Sequence, residues 1–395
     1  MAGRLPMGQK ELVRSKALEM VKQGRQTLKA AVVTLRISYR QGIRLYAAYC
    51  QKGDAGLIHG NYGRSSNNRT QEWIREKAVQ VYRQKYYDFG PTFAAEKLQE
   101  EEGLPISVSV LRRLLMETGD WYGTRRGKEY RSRRERKERF GELVQFDGSH
   151  HRWFEDRGPS CCLITMIDDA TNTRVSRFYE QETLVGVMEV FSLWIETYGI
   201  PEALYCDKKN AFVLTREATD DELLAGITEP KSHFGRACHK LGVSVIAAHS
   251  PQAKGRVERN HGVDQDRLVK ELRLAGICTI AEANEFLRKK YLPKMNKKFS
   301  RPAANPDDAH VPLGKMDLKK VMCMEYERAV ANNYVIRFEN RLFQILKPNT
   351  NLPHPKDKVT VRVGLDGTVS MIWNKTHLLV EELTHPKDQK IQDVA

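Results

Sequence analysis

Residues 250–261 of the chain read Ser-Pro-Gln-Ala-Lys-Gly-Arg-Val-Glu-Arg-Asn-His. Ser250 is a suitable N-cap and Pro251 suits the first helical position, so this stretch predicts the start of a helix. Helical spacing places three polar residues on one face of it: Lys254, Glu258 and His261. One acid among cations indicates a site where the cations hold phosphates and the acid holds a metal ion.

The region before this helix alternates strand and helix patterns. Strands are predicted at 143–147, 161–167, 173–179, 203–207 and 243–248, and helices at 183–198 and 233–241. This order is that of a ribonuclease-H-like α/β core, which we predict over residues 141–300. In that fold the first strand lies beside the fourth.

Acidic residues close the first and fourth predicted strands. These are Asp147 and Asp207, and the helix that follows would project Glu258 towards them. Three converging carboxylates can hold two Mg²⁺ (or Mn²⁺) ions through oxygen ligands. Two such ions, ~3.5–4 Å apart, can clamp the attacking and leaving oxygens of a phosphoryl transfer. The sequence therefore predicts a catalytic, metal-binding triad of Asp147, Asp207 and Glu258.

Other polar residues of the core have simpler interpretations. Asp168 and Asp169 are interpreted as hairpin acids, because they enter the turn Asp-Ala-Thr-Asn-Thr. An acidic surface insertion would contain Asp220, Asp221 and Glu222, since no strand pattern precedes them. Adjacent pairs rarely give tetrahedral zinc ligation, so four residues are interpreted as ordinary strand residues: His150, His151, Cys161 and Cys162.

Residues 1–52 predict three short helices, of which Thr27 would cap the second and Ser38 the third, with Ile43 on the inward face of the third. The third would expose Arg40, Gln41 and Arg44 at its start, where a helix-turn-helix domain places its DNA contacts. An ordinary three-helix bundle with a solvated charged face is the alternative. Residues 53–69 are a predicted linker that contains Arg64, either an extended arm along a DNA groove or a disordered connector.

Residues 70–123 repeat the helical pattern and predict a second, winged helix-turn-helix domain, whose first helix would bury Trp73 on its apolar face. Arg112 and Arg113 point outward on its third helix, and Trp121–Gly123 would begin the wing. Residues 124–140 form a basic linker that we expect to contact the DNA backbone. The contacting residues would include Arg125, Arg126, Arg131, Arg133 and Arg134.

The C-terminal third changes to a β pattern. A linker is predicted at 301–327, a small SH3-like β-barrel at 328–384 and a loose tail at 385–395, with hairpin turns at Asp366-Gly367 and Glu339-Asn340. The chain as a whole is thus predicted to be a multidomain α+β protein with N-terminal helix-turn-helix units, a ribonuclease-H-like core and a C-terminal barrel.

Composition narrows the class of partner. The 395 residues carry a net charge of +15, which indicates a polyanion or an anionic membrane surface. No segment approaches the ~18 apolar residues of a membrane span, so nucleic acid is favoured over a membrane. Seven scattered cysteines without a CxxC pair predict a reducing, cytoplasmic location and no disulfide framework.

Three strings together resemble the insertion-sequence transposases of the retroviral-integrase, or DDE, class, with the ISNCY type most similar. They are Val144-Gln145-Phe146-Asp147-Gly148, Leu204-Tyr205-Cys206-Asp207-Lys208 and His249 to Asn260. The resemblance implies metal-dependent DNA cleavage and strand transfer at the ends of a mobile element by Asp147, Asp207 and Glu258. It also implies DNA contacts near the cut by Lys254, Arg256 and Arg259.

The resemblance implies further expectations and leaves alternatives. The gap between Asp207 and Glu258 is wider than in the best-known members, so residues near 215–230 are a predicted surface insertion. Joining needs two double-stranded DNA ends held together and a target, so at least a dimer on DNA is expected, associated with the bacterial nucleoid. The alternatives are a non-catalytic DNA-binding regulator derived from a transposase and a ribonuclease-H-like nuclease without strand transfer.

Overall fold

A computed structural model describes residues 7–62, 69–123, 135–206, 231–247, 255–349 and 351–383. The chain divides into two compact units, Met1–Arg125 and Arg126–Ala395. Among the helices of the described ranges, none combines the length and the apolar character that crossing a membrane requires.

The first unit begins with three helices. They are α1 (Gln9–Lys22), α2 (Leu28–Thr34) and α3 (Tyr39–Lys52). The predicted caps are confirmed, because the Thr27 hydroxyl accepts from the Ala30 amide and the Ser38 hydroxyl accepts from the Gln41 amide. The predicted inward face of α3 is wrong: Ile43 is 47% exposed, and the buried positions are Gly42 and Tyr49 instead.

Three more helices follow in the first unit. They are α4 (Glu72–Lys85), α5 (Pro91–Glu100) and α6 (Val108–Glu117). Pro91 occupies the first turn of α5 and Ser107 caps α6, which explains where both begin. Trp73, expected to be buried, is 58% exposed. Residues Trp121–Gly123 form irregular chain, so no strand of a wing exists within residues 69–123.

The second unit is built on a five-stranded sheet with the order β3-β2-β1-β4-β5. Its strands are β1 (Val144–His151), β2 (Cys161–Asp168), β3 (Arg174–Tyr179), β4 (Ala203–Cys206) and β5 (Ser244–Ala247). Strand β1 pairs antiparallel with β2 and parallel with β4, which in turn pairs parallel with β5. The predicted ribonuclease-H-like order, with the first strand beside the fourth, is confirmed.

Helices cover both faces of this sheet. They are α7 (Leu184–Tyr198), α8 (His233–Leu241), α9 (Gly255–Leu274), α10 (Ile280–Phe286) and α11 (Leu292–Phe299), the last two joined by a π-helical turn, Leu287–Tyr291. The sheet has an apolar core on each face, and successive residues of β2 point alternately into one core and the other, as the strand period of two requires. Cys162 and Ile164 pack with α7 and α8, whereas Cys161 and Leu163 pack with α9 and the helices after it.

The C-terminal β region contains two small sheets over one shared apolar core. Sheet β11-β10-β9-β6 and sheet β12-β8-β7 contain β6 (Cys323–Ala329), β7 (Val335–Phe338), β8 (Arg341–Ile345), β9 (Lys358–Gly364), β10 (Val369–Trp373), β11 (Thr376–Leu378) and β12 (Val380–Leu383). The β-rich prediction is confirmed, and the SH3-like barrel stays a prediction. The short helix α12 (Leu318–Val321) and residues 323–327 of β6 lie in the segment assigned to a linker.

One carboxylate of β6 joins the C-terminal sheets to the core. Glu325 contacts Lys240 at 2.8 Å and Arg236 at 3.0 Å on α8, and also Arg362 at 3.0 Å on β9. Burial raises the pKa of Glu325, but the three cations outweigh it and hold this pKa below its usual range. The Glu325 amide donates to Nδ1 of His233 at 3.3 Å.

Acidification should weaken this contact through His233. Burial, and next the charge of Arg236, lower the pKa of His233 below the ordinary 6.5 against the opposing charge of Glu325, so the ring is favoured in its neutral form. The unfolded chain therefore takes up this proton first, and stability is lost as the pH falls below about 6.5. We expect the melting temperature to fall less between pH 7 and pH 5 in His233→Asn than in the wild type.

The matched control for this change is His239→Asn, since His239 lies exposed on the same helix. It should leave the pH dependence of the melting temperature as in the wild type. Identical pH profiles for the wild type and His233→Asn would show that this histidine does not couple folding to pH.

Candidate active site

Asp147 lies in the middle of β1 and not at its end, which corrects the sequence analysis. The strand continues to His151 because its last residues pair with β2: Ser149 with Leu163, His150 with Cys162 and His151 with Cys161. The strand was predicted to end at residue 147 because the polar side chains that follow do not continue its apolar pattern. The Asp147 side chain is 22% exposed, so its carboxylate reaches solvent from the interior of the sheet.

Three side chains of β1 contact the first half of α9 in a regular series. The pairs are Gln145 Oε1 with the Val257 amide at 3.4 Å, Asp147 Oδ2 with His261 Nδ1 at 3.9 Å, and Ser149 Oγ with Gln265 Nε2 at 3.1 Å. Steps of two along the strand thus match steps of four along the helix. The series sets both the rotation and the axial position of α9 on the sheet.

Glu258 lies in the first described turn of α9 and is exposed. It is flanked by Val257 and His261, the two helix residues that contact Gln145 and Asp147. Residues three apart on a helix have Cβ atoms ~5–6 Å apart, so Glu258 lies beside His261. His261 is the residue that contacts the Asp147 carboxylate.

The first turn of α9 is also tied to the turn that follows β2. The Arg256 guanidinium forms an ion pair of 2.8 Å with Oδ1 of the fully buried Asp169, and Gln145 Nε2 donates to the same oxygen at 2.7 Å. Only 17% of the Arg256 side chain is exposed. Arg256, predicted to touch DNA, therefore has an internal structural role that the sequence did not reveal.

A second buried ion pair holds the middle of α9. Asp264 accepts two hydrogen bonds of 3.0 Å from Arg174 of β3 and one of 2.7 Å from the Tyr291 hydroxyl. Burial raises the pKa of Asp264, and the charge of Arg174 opposes this. This pair was not predicted from the sequence. The sequence does contain an indication of it, because Asp264 occupies a core-facing position of the helix, on the same face as Val257 and Leu268.

Asp168 and Asp169 differ in role although they are neighbours. Asp168 is buried and accepts from the Thr171 amide at 2.6 Å and from the Gly141 amide at 3.0 Å, so its interpretation as a hairpin acid is confirmed. Burial raises the pKa of Asp168 more than these donors lower it. The Asp169 side chain instead accepts from residues outside the turn, namely the Lys137 amide at 2.8 Å, Gln145 and Arg256, so these contacts go beyond its interpretation as a hairpin acid.

Two residues of the predicted site lie outside the described residues, namely Asp207 and Lys254. The described part of β4 ends at Cys206, and its register places Leu204 beside Val144 and Tyr205 beside Gln145 of β1. The predicted acidic insertion, with Asp220, Asp221 and Glu222, also lies outside the described residues, as do Ser250 and Pro251.

Apart from Arg256, the predicted DNA contacts that the structure describes are exposed. Arg40, Gln41 and Arg44 lie in the first turns of α3, Arg112 and Arg113 lie on α6, and Arg259 lies on α9. The remaining residues lie outside the described ranges: Arg64, Arg125, Arg126, Arg131, Arg133 and Arg134. Their contacts with DNA stay predictions.

On the face of β1 opposite Asp147, the structure adds a carboxylate to two of the four residues weighed above as zinc ligands. His150 and Cys162, interpreted as ordinary strand residues, are indeed paired strand residues. A carboxylate from the loop before α7 joins them, however, because donor atoms of His150, Cys162 and Glu182 all lie within 4.8 Å of one another.

Two curated proteins resemble this chain over most of its length. A protein of Sinorhizobium fredii described as the transposase y4bF is 36% identical over 100% of this chain and 85% of its own length. The transposase for insertion sequence IS1202 of Streptococcus pneumoniae is 30% identical over 93% of this chain and 85% of its own. No protein-family model matches the sequence.

Solved structures align more weakly. A chain of the simian T-cell lymphotropic virus intasome, solved with PP2A regulatory subunit B56 gamma, covers 78% of this chain and 99% of itself at 12% identity and a TM-score of 0.33. The HTLV-2 integrase catalytic core domain with magnesium covers 37% of this chain and 80% of itself, at 17% identity and a TM-score of 0.27. The fold assignment therefore rests on the strand order and not on these alignments.

The ion pair between Arg256 and Asp169 generates a stability prediction. Arg256→Gln leaves a buried carboxylate without its cation, which we expect to cost about 3 kcal/mol of unfolding free energy. Amide hydrogen exchange in the first turn of α9 should accelerate in this variant, and urea unfolding should report the loss. Adding Asp169→Asn to it should recover part of that loss.

Arg259→Gln serves as the control, because Arg259 is exposed three residues further along the same helix. Its unfolding free energy should stay within about 0.5 kcal/mol of the wild type. Equal losses in the two arginine variants would refute the structural role assigned to Arg256.

Proposed function

The chain belongs to the insertion-sequence transposases, and from that premise we propose how it cuts and joins DNA. It is a DNA transposase, an enzyme that transfers polynucleotide ends. Asp147, Asp207 and Glu258 form its catalytic centre, which cleaves the ends of the element and transfers them to target DNA.

The observation that carries this proposal is the contact between Asp147 and the first turns of α9. His261 approaches Asp147 at 3.9 Å, and Glu258 lies one turn earlier on the same helix. His261 therefore links Asp147 to the helical turn of Glu258, which supports assigning both acids to one site. Asp207 follows Cys206, the last described residue of β4, and β4 is the strand that pairs with β1.

The residues fit a pair of divalent cations. Asp147 reaches solvent and Glu258 is exposed, and both offer the carboxylate oxygens that Mg²⁺ and Mn²⁺ prefer. Two ions bound by Asp147, Asp207 and Glu258 would lower the pKa of an attacking water or DNA 3′-hydroxyl and neutralise charge on the departing oxygen.

Other side chains of the site hold these acids in place. His261 contacts Asp147 from the helix, and Gln145 contacts both the Val257 amide and Asp169. Arg256 holds the first turn of α9 through Asp169, so it positions Glu258 and does not itself react. Such contacts matter because misplacing a catalytic group by about 1 Å can cost roughly 100-fold in rate.

The helical units are assigned to DNA recognition. Arg40, Gln41 and Arg44 are exposed together at the start of α3, and Arg112 and Arg113 are exposed together on α6. We assign the phosphate and base contacts at the element ends to these residues, as helix-turn-helix domains make them. The basic linker, with Arg125, Arg126, Arg131, Arg133 and Arg134, and also Arg64, would track the DNA backbone.

We assign the DNA contacts near the cut to Lys254 and Arg259. Arg256 would contribute less to DNA binding, because its guanidinium is paired with Asp169. We propose that at least two subunits act together on DNA, since two ends must be joined to one target. The bacterial cytoplasm, at the nucleoid, is the proposed location. The C-terminal sheets are proposed to form an SH3-like barrel that contacts DNA or a neighbouring subunit.

Removing any acid of the triad should abolish cleavage and spare binding. Asp147→Asn, Asp207→Asn and Glu258→Gln should each lower cleavage of an end-sequence duplex by roughly 1,000-fold, since each loses several kcal/mol of charge stabilisation. Chelation of divalent ions should have the same effect in the wild type. DNA affinity, measured by fluorescence anisotropy, should change less than about threefold.

Asp266→Asn is the matched control, because Asp266 is an exposed acid on the same helix that pairs with Lys270. It should cleave like the wild type. Undiminished cleavage by Glu258→Gln would contradict the assignment of the triad. If the wild-type protein cleaves the duplex without strand transfer, it is a nuclease. If it does not cleave the duplex at all, it is a DNA-binding regulator.

Salt dependence tests the role of α3. Arg40→Ala combined with Arg44→Ala removes two phosphate contacts, so the slope of log affinity against log salt should fall by about 1.8. Lys16→Ala, an exposed cation on α1, is the control and should leave the slope unchanged. A double variant with the wild-type slope would remove α3 from the DNA interface.

A further inference from the structure

A cluster of three metal-ligating side chains lies on the face of β1 that the proposed catalytic centre does not use. We propose that His150, Cys162 and Glu182 bind a transition-metal ion of the Zn²⁺ class, with water in the fourth position. This site would fasten the end of the β1–β2 hairpin to the loop that precedes α7.

The strand register creates the cluster. His150 of β1 lies directly opposite Cys162 of β2, and both side chains point to the side of the sheet covered by α7. Glu182 reaches them from the residue before Thr183, which caps α7 by accepting from the Gly186 amide at 3.1 Å. The three residues therefore come from three separate elements that a common ligand would hold together.

The donor atoms are spaced for one ion. All of them lie within 4.8 Å of one another, and His150 Nε2 is 3.9 Å from Glu182 Oε2. Zinc bonds of ~2.0–2.3 Å in a tetrahedron place neighbouring donors about 3.3–3.7 Å apart. His150 is the most exposed of the three, so ion binding would require its ring to move towards the other two donors.

A glycine leaves the space in which these donors meet. A Cβ atom at Gly148 would lie 2.8 Å from Glu182 Oε2 and 3.1 Å from Cys162 Sγ. Both distances are shorter than ordinary packing allows, so another residue at 148 would push the carboxylate and the thiol apart. Gly148 lies two residues before His150, on the same face of the strand.

Burial and charge favour a cation at this place. Cys162 is fully buried and the Glu182 side chain is only 8% exposed, whereas the His150 side chain is 60% exposed. The site is thus open to solvent on the histidine side. A thiolate, a carboxylate and a neutral imidazole carry two negative charges, which one divalent ion neutralises as the thiol proton is released.

The donor set distinguishes this ion from the one proposed for catalysis. Nitrogen and sulfur ligands suit Zn²⁺, whereas Mg²⁺ prefers oxygen alone. Asp147 also points to the other face of the sheet, because adjacent residues of a strand alternate. The two sites would therefore select different metals on the two sides of one strand.

Cobalt substitution of the full chain tests the proposal. The reduced protein, freed of metal by a chelator and then supplied with excess Mg²⁺, is titrated with Co²⁺. We expect one Co²⁺ per chain, with the visible bands of a tetrahedral site and a thiolate-to-cobalt absorption in the near ultraviolet. Zn²⁺ should displace it, and both signals should persist in Asp147→Asn.

Neighbouring residues of the same type provide the controls. His150→Ala should weaken Co²⁺ binding by at least about 10-fold, while His151→Ala should bind like the wild type. Cys162→Ser should lose the thiolate absorption, while Cys161→Ser should retain it. Because His150 is largely exposed, His150→Ala should fold normally, which circular dichroism can verify.

Two results would overturn the proposal. One is a wild-type titration without a thiolate-to-cobalt absorption. The other is equal Co²⁺ affinity for His150→Ala and His151→Ala, which would show that His150 is not a ligand of the ion. Both are independent of DNA cleavage, so neither result would bear on the catalytic triad.

Discussion

The site depends on the attachment of α9 to the central sheet by two buried ion pairs. Arg256 binds Asp169 at one end of the contact, and Asp264 binds Arg174 further along the helix. Buried ion pairs add little net stability relative to apolar packing, since desolvation offsets their attraction. Their value here is specificity, because a helix that shifted by one residue would leave charges buried without partners.

The same attachment limits where a catalytic acid can lie on α9. Four helical residues advance ~6.0 Å and two strand residues ~6.6–6.8 Å, so the two elements keep step for only a few contacts. The three pairs from Gln145–Val257 to Ser149–Gln265 are the contacts over which the two repeats stay in step. Asp147 occupies the middle pair, and Glu258 lies in the turn just before it. The two repeats therefore match best beside the acids that we propose for catalysis.

Parts of the fold and site followed from the sequence, and the failures have physical causes. The types and order of the core elements were predicted, because hydrophobic period and caps such as Thr183 are local signals. The end of β1 was misplaced, since His150 and His151 form a strand only by pairing with apolar β2. Ile43 and Trp73 were assigned to the interior by a period that does not reveal which face meets a neighbour.

The sequence by itself determined the family and the alternating order of strands and helices, and it supplied the acids proposed for catalysis, because all of these are read from short strings. Only the tertiary structure decided what their neighbours do. It paired Arg256 with Asp169, set His261 against Asp147 and brought Glu182 to His150 and Cys162. These contacts join residues from separate elements of the chain, and no local pattern encodes which of many similar side chains will meet across a sheet.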